Sequence, residues 1–198
     1  MAYGTGDVLP LAEVNSKPRA NLKQEDAISY PVPITAWVYA DGDVLNTTGA
    51  AGDPQIVMGG YGSGTGVLRG QDAHGTTKTE TVCFAFRVPE CYVAAETITL
   101  SVTARYSDTG TGTMSAKSID CECYEIAEAG TAGSDICATA AQTLTTSMAA
   151  FSFTITASGV SPGDLLRFFV RTVLTESGGT GAQKAEIGGA TVKLDIKG

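Results

Sequence analysis

Between Thr81 and Tyr106 the chain reads TVCFAFRVPECYVAAETITLSVTARY. Val82, Phe84, Phe86 and Val88 alternate with Cys83, Ala85 and Arg87. After a short corner, Ile98, Leu100, Val102 and Ala104 alternate with Thr97, Thr99, Ser101, Thr103 and Arg105. Successive side chains of an extended strand point to opposite faces, so a period of two with one apolar face marks a half-buried antiparallel strand. Pro89 lacks a backbone N–H and breaks the ladder between the two strands. A chain built on such a pair needs further strands to cover its apolar faces.

The same signal recurs downstream. Lys117–Ile126 places Ile119, Cys121 and Cys123 on one face, and Ala150–Thr156 turns Phe151, Phe153 and Ile155 inward. Leu165–Thr175 carries Leu166, Phe168, Val170 and Leu174 on one face and Leu165, Arg167, Phe169, Arg171 and Val173 on the other. Lys184–Ile196 turns Ala190, Val192, Leu194 and Ile196 inward, and Gly188-Gly189 in its middle predicts a bulge. Upstream, Ile34–Tyr39 and Gln55–Met58 read as strands and Val67–Arg69 as a short edge strand. Ala127–Asp135 reads as a loop, and Ala138–Thr145 as a strand or a helical turn. Eight or nine strands with no helical period predict an all-β fold of two packed antiparallel sheets. A jelly roll fits the strand count better than an immunoglobulin-like sandwich, whose Cys…Trp…Cys pattern is absent.

Residues 1–32 are polar and lack a sustained period, so the chain divides into an N-terminal arm, 1–32, and a sandwich domain, 33–198. Leu9, Leu11, Val14, Leu22 and Ile28 are scattered apolar anchors, and Lys17, Arg19 and Lys23 are the basic residues of the arm. Such a segment is either a loose terminus or an arm that orders on another subunit.

The net charge of −8 and the pI near 4.6 argue against nucleic acid and against an anionic membrane surface as partners. No apolar run reaches the length of a membrane span. MAYGTGDVLP has no basic region followed by an apolar one, so no signal peptide is expected. With that, five cysteines (Cys83, Cys91, Cys121, Cys123 and Cys137) are expected to be reduced thiols. Cys121 and Cys123 share a strand face at a spacing poorly suited to a disulfide.

Catalytic and metal motifs fail on inspection. GYGSGTG at 60–66 lacks the Lys-Ser/Thr of a phosphate loop, and Ser63 lacks the flanking pattern of a nucleophile elbow. The single histidine, His74, has no sequence partner for a serine triad. Asp41, Asp43 and Asp53 could approach a calcium ion, but the twelfth position from Asp41 is Gly52 rather than Glu. No cofactor, no metal and no enzymatic activity are expected. Trp37, Tyr39, Tyr61, Tyr92, Tyr106 and Tyr124 raise a carbohydrate-binding reading, with core or strand-edge roles as the alternative. Phe169 between Arg167 and Arg171 on an outward face suggests a subunit interface.

LKQEDAISYPVPITAW at 22–37, the FAFRVPECYVAAETITLSVTARY segment, GSDICATAAQ and the ending GGATVKLDIKG resemble structural proteins of tailed bacteriophages. The resemblance implies a virion component made in the host cytoplasm, a capsid decoration protein of jelly-roll type. It further implies a homotrimer, or other symmetric homo-oligomer, bound to the major capsid protein on the capsid surface. On this reading Leu9, Leu11, Val14, Lys17, Arg19, Lys23 and Ile28 contact the capsid, and Arg167, Phe169 and Arg171 lie between subunits. The alternative is a receptor- or carbohydrate-binding module of a head fibre or tail.

Overall fold

The computed structural model describes residues 27–45, 54–57, 66–127 and 130–196. Twelve strands run through them: β1 (Ile28–Val32), β2 (Val38–Tyr39), β3 (Gln55–Val57), β4 (Val67–Arg69), β5 (Thr77–Arg87), β6 (Ile98–Asp108), β7 (Thr113–Ile126), β8 (Ala132–Asp135), β9 (Gln142–Thr143), β10 (Ala149–Ile155), β11 (Leu165–Ser177) and β12 (Gln183–Leu194). They form two sheets. Sheet A has the order β10-β6-β12-β4-β3, with β1 also paired to β12. Sheet B has the order β2-β5-β11-β7-β8, with β9 also paired to β7. All pairings are antiparallel.

The chain changes sheet at almost every long strand, passing from β5 in B to β6 in A, β7 in B, β10 in A, β11 in B and β12 in A. Reading β1-β12-β6-β10 across one sheet and β5-β11-β7 across the other gives the interleaved order of a jelly roll. The two strands that organise the sequence therefore lie in opposite sheets instead of sharing a ladder.

The alternation predicts which residues fill that core. Ile98, Leu100, Val102 and Ala104 of β6 are fully buried, as are Phe153 of β10, Leu166 and Phe168 of β11 and Val192 and Leu194 of β12. At the centre, Trp37 meets Phe84 edge-on at 4.8 Å between ring centroids, and Phe84 stacks on its cross-strand partner Phe168 at 5.0 Å. The bulge expected at Gly188 is present: the register of β12 against β6 shifts between Ile187 and Gly189. This shift keeps both halves of β12 inward, with Ala185 and Ile187 buried before it and Ala190 and Val192 after it.

Three local expectations are corrected. Ile34–Ala36 is a 3-10 turn, so only Val38 and Tyr39 of the expected first strand are extended in a ladder. Pro33 initiates that turn at its N-cap position. Ala132–Asp135, expected as loop, forms the edge strand β8. Ile28–Val32, counted with the arm, is strand β1, which pairs with β12 from Ile28↔Leu194 to Val32↔Ala190. The sandwich thus includes Ile28–Val32, five residues of the segment assigned to the arm. β1 also packs Tyr30 edge-on against Phe86 at 5.7 Å.

A chain beginning at Pro33 is therefore expected to melt at least about 5 °C below one beginning at Ala27, because it loses β1 and the partly buried Tyr30 and Val32. Equal melting temperatures by differential scanning calorimetry would show that β1 adds nothing to the sandwich.

One end of the sandwich is closed by a buried carboxylate. The Glu176 side chain accepts hydrogen bonds from the backbone N–H of Gly75 at 2.6 Å and of Gly179 at 2.8 Å. It thereby ties the loop before β5 to the turn after β11. A Cβ on Gly112 would stand 1.6 Å from its Oε1, so the carboxylate occupies the space a side chain there would need.

Candidate functional site

Among the described residues, the space between the sheets beside β4 and β11 is narrow. The crevice between the sheets, bounded by Leu68, Val82, Val170 and Ile187, measures about 10 Å³, no more than one water molecule occupies. Function falls to the surfaces, and the outward face of sheet B is the one that gathers aromatic and charged side chains together.

β11 runs down the middle of this face, and its alternation turns Arg167, Phe169 and Arg171 outward. Register fixes their neighbours. Arg167 stands opposite Tyr124 of β7 and Ala85 of β5, Phe169 opposite Glu122 and Cys83, and Arg171 opposite Asp120 and Thr81. Directly opposed residues on one face are close enough for their side chains to interact. Arg171 Nη2 donates to Asp120 Oδ2 at 2.7 Å, and Asp120 Oδ1 accepts from the Cys121 N–H at 3.0 Å. The carboxylate of Asp120 is thus held from two sides.

Tyr124 and Phe169 meet edge to face at 5.8 Å. The Tyr124 hydroxyl donates to Glu122 Oε2 at 3.0 Å, and that bond to a carboxylate raises the phenol's pKa above its ordinary value. The Arg167 guanidinium lies over the Phe169 ring, 5.1 Å from its centroid. Its Nη2 also reaches Cys83 Sγ at 3.4 Å. Beside these groups lies an open depression of about 90 Å³, lined by Thr81, Asp120, Cys121, Glu122, Phe169 and Arg171.

Around the depression, the two guanidinium groups of Arg167 and Arg171 and the two carboxylates of Asp120 and Glu122 bring the charge close to balance. Hydrogen-bond donors and acceptors alternate around a pair of rings. Such a surface suits a ligand whose groups both donate and accept and which also carries an apolar face.

The three residues expected at a subunit interface, Arg167, Phe169 and Arg171, are therefore brought together. Sequence reading of this strand did not show that β7 would supply Tyr124, Glu122 and Asp120 beside them. Its own alternation, with Ile119, Cys121 and Cys123 inward, was the available signal.

The other candidates disperse. Trp37, Tyr92 and Tyr106 are buried and belong to the core. Tyr39 donates its hydroxyl to the Pro54 carbonyl at 2.9 Å. His74 Nδ1 lies 3.6 Å from Glu176 Oε2, and the His74 N–H donates to Asp72, so its contacts serve loop closure. Asp41 Oδ1 accepts from the Asp43 N–H at 3.1 Å, a local turn bond. Among the described residues no group of three His, Cys, Asp or Glu side chains is placed to hold a metal ion. Ile28 sits in β1 against Leu194. Leu9, Leu11, Val14, Lys17, Arg19 and Lys23, with Asp53, Tyr61 and Ser63, lie outside the described residues.

No protein-family model matches the chain, and no curated protein matches it in sequence. Among solved structures it is similar to the CBM22-1 xylan-binding domain from Paenibacillus barcinonensis, at 9% identity and a TM-score of 0.47, over 87% of this chain and 97% of that one. It is also similar to the xylan-binding module CBM15, at 14% identity and a TM-score of 0.45, over 87% of this chain and 100% of that one.

Proposed function

We propose that this chain is a non-catalytic carbohydrate-binding module whose binding surface is the outward face of sheet B. The observation that carries the reading is the joining of Tyr124 and Phe169 to the Arg171–Asp120 pair and Glu122 around an open depression. A pyranose ring has apolar C–H faces and a rim of hydroxyls. Aromatic rings meet the faces, while carboxylates accept from hydroxyls and guanidinium groups donate to them. The balanced charge favours a neutral glycan chain over a polyanion.

Affinity electrophoresis against a panel of soluble neutral and acidic polysaccharides, xylan included, tests this. At least one neutral polysaccharide is expected to retard the protein. Phe169→Ala and Tyr124→Ala should each weaken that retardation about tenfold or more, the equivalent of ~1.4 kcal/mol. His74→Ala, at the far loop closure, should leave it unchanged. A wild-type protein that no polysaccharide retards defeats the proposal.

The same face supports a second reading, as the contact between copies of a virion decoration protein on the major capsid protein. Aromatic residues and arginine are enriched where protein interfaces are most buried, and Arg167, Phe169 and Tyr124 form one such cluster. This reading expects a trimer, or another closed homo-oligomer, by light scattering at micromolar concentration, converted to monomer by Phe169→Ala. A monomeric wild-type protein that binds a polysaccharide decides for the first reading.

A further inference from the structure

The charged groups on the outward face of sheet B are not all paired. Arg171 is neutralised by Asp120 at 2.7 Å, and Glu122 accepts from the Tyr124 hydroxyl. Arg167 differs. Its half-buried guanidinium rests on the Phe169 ring, and its Nη2 makes two long contacts, 3.4 Å to Cys83 Sγ and 3.5 Å to the Ala40 carbonyl. The carbonyl contact is at the outer limit of a hydrogen bond, and a thiol sulfur is a weak acceptor. Among the described residues, no acidic side chain forms an ion pair with Arg167.

Register extends this end of the face. Opposite Arg167 on β5 stands Ala85, exposed and too short to reach over it. Two residues on, Arg87 donates to the Gly163 carbonyl at 2.8 Å, a neutral partner that leaves its charge in place. Glu90, which lies against Gly163, is exposed and makes no ion pair with Arg87. The face is therefore uneven: balanced around the depression and positive toward Ala85. A guanidinium is weakly hydrated, lies flat on rings and meets a carboxylate with two parallel N–H donors. Because Arg167 is already half-buried, part of the desolvation that pairing demands is met within the fold.

Resting on the reading of this face as a glycan-binding surface, we propose that Arg167 sets its specificity. It recognises a carboxylate carried by an occasional sugar of an otherwise neutral glycan, and Arg87 adds attraction from a longer distance. A continuous polyanion fits less well. Asp120 and Glu122 border the depression beside Phe169, and the chain as a whole carries a charge of −8.

The experiment compares each neutral polysaccharide of the panel with its sparsely carboxymethylated derivative, by affinity electrophoresis of the full chain at low ionic strength. The wild type is expected to bind the carboxymethylated form about threefold or more tightly than the parent, the scale of a single exposed ion pair. Added salt should shrink that ratio toward unity. General charge acts in the opposite direction, because an acidic protein is repelled by an acidic polymer. Arg167→Gln should bring the ratio close to unity while binding to the neutral parent persists. Arg87→Gln should lower the ratio less, since its guanidinium is held by the Gly163 carbonyl. Taking the ratio within one variant cancels any change in how Phe169 is presented. A wild-type ratio of unity or below overturns the proposal and leaves the binding-module reading standing. A ratio unchanged in Arg167→Gln, or lowered more by Arg87→Gln, overturns it as well. A wild type that neither form of any polysaccharide retards removes both. If Arg167→Gln does not fold by circular dichroism, the wild-type ratio and its salt dependence decide alone.

Discussion

Phe168→Ala is expected to destabilise the sandwich by about 3–5 kcal/mol, the range found when a fully buried aromatic is cut back to alanine. For a chain of this size that corresponds to a melting temperature roughly 6–20 °C lower. Phe168 has no exposed surface, and its ring stacks on Phe84, which in turn receives the edge of Trp37. Removing the ring leaves a void bounded by both sheets. The flanking strands cannot close it, because β11 is held by ladders on both sides. Phe169→Ala, one residue on and facing outward, should move the melting temperature by no more than about 4 °C. Chemical denaturation of the two variants would check the contrast. If Phe169→Ala proves the more damaging, the inward and outward faces of β11 have been assigned the wrong way round.

The second large effect is expected on the outward face of sheet A. There Arg69, Glu186 and Arg105 stand side by side on β4, β12 and β6. Each guanidinium Nε donates to a separate oxygen of Glu186, at 2.8 and 2.7 Å. The carboxylate is 2 % exposed, whereas each arginine side chain is 39 % exposed. This difference makes the consequences of substitution unequal. Arg69→Ala with Arg105→Ala strands a buried carboxylate, a loss of about 3 kcal/mol, at the low end for broken buried pairs because solvent already screens these arginines. Glu186→Gln leaves the arginines free to turn to water and should lower stability by only about 1–2 kcal/mol. Urea unfolding of the two variants measures this. Finding Glu186→Gln at least as damaging as the double arginine variant would reject the argument.

Sequence alone reveals the long strands because each buries one face. On β5, β6 and β10 the inward residues, Phe84, Leu100 and Phe153 among them, recur at a period of two, and the residues on either side of these three are polar or small. The short elements lack that signal. Ala-Gly-Ser-Asp at 132–135 has every residue exposed, and its strand exists only because β7 offers a free edge. Ile34–Ala36 carries apolar and β-branched residues that suit a strand, yet the chain turns there to bring Trp37 onto Phe84. The candidate face was half legible. The Arg167-Phe169-Arg171 row follows from alternation within β11, but the presence of Tyr124 beside it follows from register between strands distant in the chain.

The topology has a consequence for how the chain is made. β11 is the middle strand of sheet B, between β5 and β7, and β12 lies inside sheet A, between β6 and the pair β1 and β4. Both leave the ribosome after all the other described strands. Until Leu165 and the residues after it emerge, β5 and β7 have nothing between them, and neither do β6 and β1. The earlier strands can form local hairpins but cannot close either half of the sandwich, so their apolar faces stay open during synthesis. A nascent chain halted before β11 is then not a smaller version of the fold. It is a set of unjoined edges, and a holding chaperone should recognise it until the two central strands slide into place.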